Sequence, residues 1–303
     1  MTFFQTDETL KTLGSSIIEA TRRKFQQLSP EQIAITWIVY DRPADRQNGQ
    51  SSIRGWSDRG EERIYPASIV KLFYLVAYYQ WLEKGMLKTS SELERGVRDM
   101  IIDSSNDATS LVVDALTGTT SGPELSSGPF QTWKYQRNLV NRYFQSLKWP
   151  ELDKINVNQK TWCEGPYGRE RAFLGEMFEN RNMLTARAVA RLFHSIVGGR
   201  AVSAAASQAM MKLMKRSLDP EELAAEPENQ VTGFLGGGLP QSAQLWSKAG
   251  WTGQVRHDAA YIELPGLLPY LLIVFMEGKA NSNNEEILPF ISQEFVKTME
   301  NQL

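Results

Sequence analysis

Apolar and polar positions follow two periods along this chain, and the periods predict its elements. From about residue 7 to 27, Leu10, Leu13, Ile17, Ile18 and Phe25 recur at helical spacing, with Thr6 or Asp7 placed to cap. Residues 33–40 are β-branched and aromatic, which predicts a strand. Residues 51–56 read as its partner, with the polar segment 42–50 as the turn between them. A helix follows from Ser68 to about residue 84, stopped by Gly85; its apolar residues run almost all round, as in a core helix. Further helices are predicted over 90–98 and 107–116, and a Gly/Ser/Thr/Pro-rich loop over 117–128. Residues 130–147 carry Trp133, Val140, Phe144 and Leu147 on one helical face. Residues 160–182 are charged and hold Gly165, Pro166, Gly168 and Gly175, which reads as a long loop, and such loops are often functional. Two helices, 185–197 and 201–216, three strands, 244–248, 259–264 and 270–275, and a helix over 285–301 complete the chain.

This order predicts an α+β fold: a five-stranded antiparallel sheet flanked by the N- and C-terminal helices, plus an all-helical lobe. Residues 1–62 with 217–303 would form the sheet lobe and 63–216 the helical lobe of one domain. Ligand sites favour the crevice between two lobes. The net charge of −2 argues against a nucleic-acid surface. With one cysteine, Cys163, no internal disulfide forms. With only His194 and His257 besides, a zinc site would lean on carboxylates, and no metal or organic cofactor is expected. The N-terminal residues show no basic region followed by a long apolar one, so no secretory signal is expected. The longest apolar run, 267–276, is too short to span a bilayer and is broken by Pro269 and Tyr270. The expectation is a soluble, cytoplasmic chain without membrane or nucleic-acid partners.

Four polar clusters interrupt this pattern. Pro66 restricts the chain before a helix whose head carries Ser68 and Lys71, three residues apart and on one face. A serine needs an adjacent base to become a nucleophile, and a lysine whose pKa is lowered by burial can supply one. A capping serine and a lysine reaching for water account for the same pattern. Ser104, Ser105 and Asn106 lie between two apolar segments. They read as a proton relay with a substrate amide partner, or as the cap of the next helix. Lys248, Ala249 and Gly250 close a strand: a charge for a substrate carboxylate with room for a ligand backbone, or an edge lysine that discourages aggregation. Glu164, Glu170, Glu176 and Glu179 share the long loop, where one could orient a hydrolytic water and the rest form a solvated face.

Together, Ser68-Ile69-Val70-Lys71, Ser104-Ser105-Asn106 and Lys248-Ala249-Gly250 resemble the S-x-x-K, S-x-N and K-[TS]-G triplet of penicillin-recognising serine enzymes, class A β-lactamases among them. The segment Asn182-Met183-Leu184-Thr185-Ala186-Arg187-Ala188 resembles the approach to the helix after the class A Ω-loop. Arg256-His257-Asp258-Ala259-Ala260 resembles the strand returning beside the third motif. The resemblance spans the chain from about residue 30. Ala249 replaces a usual hydroxyl residue, Ser105 a usual aspartate, and residues 118–149 look like an insertion. The Ω-loop signature E-x-x-L-N is not intact.

The resemblance implies a class A β-lactamase-like serine hydrolase. Ser68 would attack an amide or ester carbonyl, Lys71 would take its proton, and Ser104 would relay a proton to the leaving nitrogen. Asn106 would meet the substrate amide, and Lys248 and Gly250 would help hold the substrate. The backbone N–H groups of Ser68 and Trp251 would bind the oxyanion, and Glu170 would activate the deacylating water. The substrate would be a β-lactam, or another small or peptide-like amide or ester handled by a D,D-peptidase- or esterase-like hydrolase. A non-catalytic binding protein on the same fold is the third expectation.

Overall fold

The structure is a computed structural model that describes residues 3–43 and 53–302. Most of the turn expected over 42–50, and Ser51 and Ser52 of the strand expected after it, lie outside the described residues. In chain order the elements are β1 (Gln5–Thr6), α1 (Glu8–Lys24), β2 (Ile33–Val39), β3 (Arg54–Asp58), α2 (Lys71–Glu83), α3 (Ser91–Ile101) and α4 (Asn106–Thr117). Then come α5 (Ser127–Arg137), α6 (Leu139–Ser146), α7 (Gly168–Leu174), α8 (Ala186–Val197), α9 (Ala204–Met214), β4 (Lys215–Arg216) and α10 (Pro220–Ala225). The chain closes with β5 (Gln244–Thr252), β6 (Val255–Glu263), β7 (Tyr270–Glu277), α11 (Lys279–Ser282) and α12 (Ile287–Gln302). No helix among the described residues is long and apolar enough to cross a membrane.

Two compact units emerge: residues 1–62 with 185–303, and residues 63–184. The second boundary falls earlier than the sequence suggested, so 185–216 group with the sheet and not with the helical middle. The reason is packing: α8 is buried along most of its length and lies against β2, β6 and β7.

The sheet has seven strands in the order β1-β3-β2-β7-β6-β5-β4, against five expected. The five expected strands are its centre. The two extra ones are two-residue edge strands, too short to show any period. One of them, β1, pairs in parallel with β3, so the sheet is mixed. Asp7 caps α1 by accepting from the Leu10 N–H at 3.0 Å. Leu10, Leu13 and Ile17 of α1 and Ile291 and Phe295 of α12 then bury the sheet face carrying Ile35, Trp37, Leu272 and Val274. Gly14 of α1 is required there, because a Cβ would stand 2.3 Å from the Trp56 ring. β5 and β6 extend past their expected ends into a hairpin closed by Thr252 and Val255. Ladder pairing on β6 carries the strand through Gly250.

In the other unit α2 is buried from Leu72 to Tyr78, as its all-round apolar pattern predicts. Gly85, at φ +64°, takes the left-handed conformation just after it. The single helix expected over 130–147 is two helices, α5 and α6, broken at Asn138. The Asn138 amide donates to the Lys134 carbonyl at 3.0 Å and its oxygen accepts from Asn141 and Asn158, a local alternative to continuing the helix. The long loop keeps its irregular path but contains α7.

Candidate active site

Ser68 sits in a 3₁₀ turn, Ala67–Val70, that leads into α2 and is closed by the Ile69 N–H donating to the Pro66 carbonyl at 3.1 Å. Ala67, immediately before it, holds φ +45°. A non-glycine residue in this region costs on the order of 1–3 kcal/mol and persists where the surroundings enforce it, often at functional sites. Ala67, Ile69 and Val70 are buried, while Ser68 keeps part of its surface.

Lys71 opens α2 and is completely buried. Its ammonium donates to the Ser104 carbonyl, to Ser104 Oγ at 3.2 Å and to Asn106 Oδ1 at 2.9 Å, so three acceptors meet three donors. Burial pulls its pKa down to about 7, with Cys163 pulling weakly the other way. Lys71 is therefore a buried lysine held by the second motif, and the reading in which it reaches for water falls.

The second motif divides its work. Ser105 caps α4 by accepting from the Ala108 N–H at 3.1 Å. Ser104 on one side, at φ +54°, and Asn106 on the other both face Lys71. The cap reading thus holds for Ser105, while Ser104 and Asn106 are hydrogen-bonded to Lys71. The Asn106 amide nitrogen donates to Cys163 Sγ at 3.3 Å. Cys163 is exposed, and it is the loop group that meets Asn106. Nothing in the spacing of Cys163 along the chain ties it to the second motif.

Glu170 stands elsewhere. It is fully buried at the start of α7, and its Oε1 accepts from Arg137 at 2.6 Å and from Ser121 at 2.9 Å, with Lys160 Nζ at 3.7 Å. Asp114 completes the cluster, bonded to Arg137 at 3.1 Å and to Lys160 at 2.7 Å. Among the described residues no hydrogen bond or ion pair joins Glu170 to Lys71 or Asn106. The segment expected as an insertion thus supplies, through Arg137, the principal partner of the expected base. Glu164, Glu176 and Glu179 are exposed.

The third motif lies on β5 in the sheet unit. Lys248 is fully buried and donates to Gln230 Oε1 and, at 2.9 Å, to the Ala249 carbonyl. The same Gln230 oxygen accepts the Ala249 N–H at 3.2 Å, a contact that no sequence pattern foretells. Gly250 pairs with His257, whose Nδ1 accepts from the Met276 N–H at 2.9 Å; that leaves the imidazole proton on Nε2. Trp251 is 53% exposed, yet its indole N–H donates to the Ser282 carbonyl at 3.1 Å. Asp258, opposite Ala249, is buried; desolvation raises its pKa to about 7, and Oδ1 has no protein partner among the described residues. Among the described residues no group of three or more His, Cys, Asp and Glu could hold a metal ion.

The sequence profile of the Beta-lactamase enzyme family matches residues 88–299, which include the second and third motifs but not Ser68 and Lys71. No curated protein matches the chain. Among solved structures, a penicillin-G acyl-enzyme complex of a PBP-A point mutant is similar at TM-score 0.66 and 16% identity, over 98% of each chain. A β-lactamase from Sphaerobacter thermophilus DSM 20745 is similar at TM-score 0.63 and 18% identity, over 96% of this chain and 98% of that one. One from Burkholderia vietnamiensis gives TM-score 0.64 and 16% identity, over 96% and 97%. At these identities the likeness is one of fold.

Proposed function

The chain belongs to the β-lactamase enzyme family, and we propose that within it the protein is a serine hydrolase that opens β-lactam amides through an acyl-enzyme at Ser68. The observation that carries this reading is Lys71: fully buried, held by Ser104 and Asn106, one helical turn from Ser68, and with a pKa near neutrality. In the proposed sequence Ser68 Oγ bonds to the carbonyl carbon as its proton passes to Lys71 Nζ. The C–N bond then breaks, and the nitrogen leaves with a proton delivered through Ser104 Oγ, which Lys71 recharges. Water hydrolyses the ester and restores Ser68. Lys248, Gly250 and Trp251 are assigned to holding the substrate. Incubation with a fluorescent penicillin followed by mass spectrometry tests the reading: the protein should carry an adduct at Ser68, and Ser68→Ala none.

A second reading, a D,D-peptidase- or esterase-like acyl hydrolase that acylates readily but clears β-lactams slowly, is favoured by two observations. The loop places Cys163, not a carboxylate, on Asn106, and Glu170 is bonded to Arg137. Glu170 is accordingly assigned to holding the loop and not to activating water. The lifetime of the penicillin adduct separates the two: rapid turnover favours the first reading, persistence the second.

A further inference from the structure

The sheet unit contains a cavity of about 520 Å³ between the end of α8, one face of α9 and the outer ends of β5 and β6. Ile196, Val197, Met211, Trp246, Tyr261 and Glu263 line it. None of these has a part in the acyl-transfer scheme, and the volume is that of a small-molecule site.

The chemistry of the lining is specific. Trp246 and Tyr261 are ladder partners on adjacent strands, so they share one face of the sheet, with ring centroids 5.7 Å apart. Glu263 lies two residues beyond Tyr261 and so faces the same way. The Tyr261 hydroxyl donates to Glu263 Oε1 at 2.8 Å and fixes the carboxylate in place. Apart from that bond, the Glu263 carboxylate has no hydrogen-bond or ion-pair partner among the described residues. The C-terminal end of α8 adds the negative end of a helix dipole. The Trp246 ring already attracts one ammonium, that of Lys215, 5.8 Å from its centroid. Ile196, Val197 and Met211 add apolar lining.

We propose that this cavity binds an organic cation with an apolar body, of the alkyl- or arylalkylammonium class. The charged head meets Glu263 beside the Trp246–Tyr261 pair, and the body lies against Ile196, Val197 and Met211. An anion of the same shape would meet a carboxylate and the negative end of a helix. A neutral isostere would desolvate Glu263 without pairing it.

Titration calorimetry of the full chain with 2-phenylethylammonium, 2-phenylethanol and 3-phenylpropionate tests this. The ammonium should bind saturably, and the alcohol and carboxylate at least about tenfold more weakly. Glu263→Gln, a partly exposed position, should weaken the ammonium by about tenfold or more while leaving the melting temperature unchanged, and Trp246→Leu should do the same to binding. If Trp246→Leu does not fold, Glu263→Gln and the three-probe series decide alone. Equal binding of all three probes, unchanged ammonium affinity in Glu263→Gln, or no saturable binding of the ammonium up to about 10 mM would overturn the assignment.

Discussion

If Lys71 is the base, the pH dependence of acylation should follow its titration. An ordinary lysine of pKa 10.5 is free base in roughly one molecule in 3,000 at pH 7, whereas at about 7 half of the molecules are. That gain of about 10³ matches the scale of general-base help, about 10²–10⁴. Below the pKa the free-base fraction falls about tenfold per pH unit, to about 1% at pH 5. The second-order rate of adduct formation with a penicillin, followed by mass spectrometry from pH 5 to 9, should therefore rise about 100-fold and level off above pH 7. Arginine keeps the charge and cannot deprotonate in this range, so Lys71→Arg should lose about 10²–10⁴ in rate and lose the limb altogether. Cys163 opposes the lowering, so Cys163→Ala should move the limb to lower pH. A flat profile in the wild type, or a limb near pH 10, would refute Lys71 as the base even if Ser68 is acylated.

Three further outcomes follow. Ser68→Ala should abolish both adduct and turnover with little change in melting temperature, since it removes one oxygen from a half-buried turn; residual turnover at the normal rate would remove Ser68 from the mechanism. Glu170→Gln leaves the fully buried Arg137 without its closest anion, so it should lower stability by on the order of 3 kcal/mol in denaturant titration, with adduct lifetime on the folded protein little changed. A trapped adduct at unchanged stability would return Glu170 to the role of base. Asp258 has a raised pKa in the folded state, so the native state holds a proton that the unfolded chain releases between its ordinary value of 3.8 and about 7. Stability should fall as pH rises through that window. Asp258→Asn should flatten this slope and raise the melting temperature more at pH 8 than at pH 5; parallel slopes would show that Asp258 is not its source.

Much of this was legible in the sequence because it rests on local patterns. The all-round apolar run after Ser68 predicted a core helix, and α2 is buried. Of the two caps offered for the first helix, Asp7 is the one whose side chain accepts from the Leu10 N–H. The three motifs carry a resemblance that the family profile bears out for the family and its fold, through the second and third. Spacing also placed Lys71 on the face of Ser68, and burial of that face gives the lysine its lowered pKa. Each depends on residues within a turn or two of one another, where period and capping chemistry fix the outcome.

What the sequence could not show depended on partners distant in it. The resemblance that singled out Glu170 is blind to Arg137, 33 residues away, which binds it. No period announces that Cys163 meets Asn106 across 57 residues, or that Gln230 accepts from both Lys248 and the Ala249 N–H. The two-residue edge strands exist only because neighbouring strands offer them ladder partners, and α8 joins the sheet because its buried face fits β2, β6 and β7. The sequence by itself determined which residues could do acyl-transfer chemistry, because side-chain type and helical spacing are local. Tertiary structure alone decided which partners each of them meets, because a buried charge takes whatever counter-charge the fold brings to it.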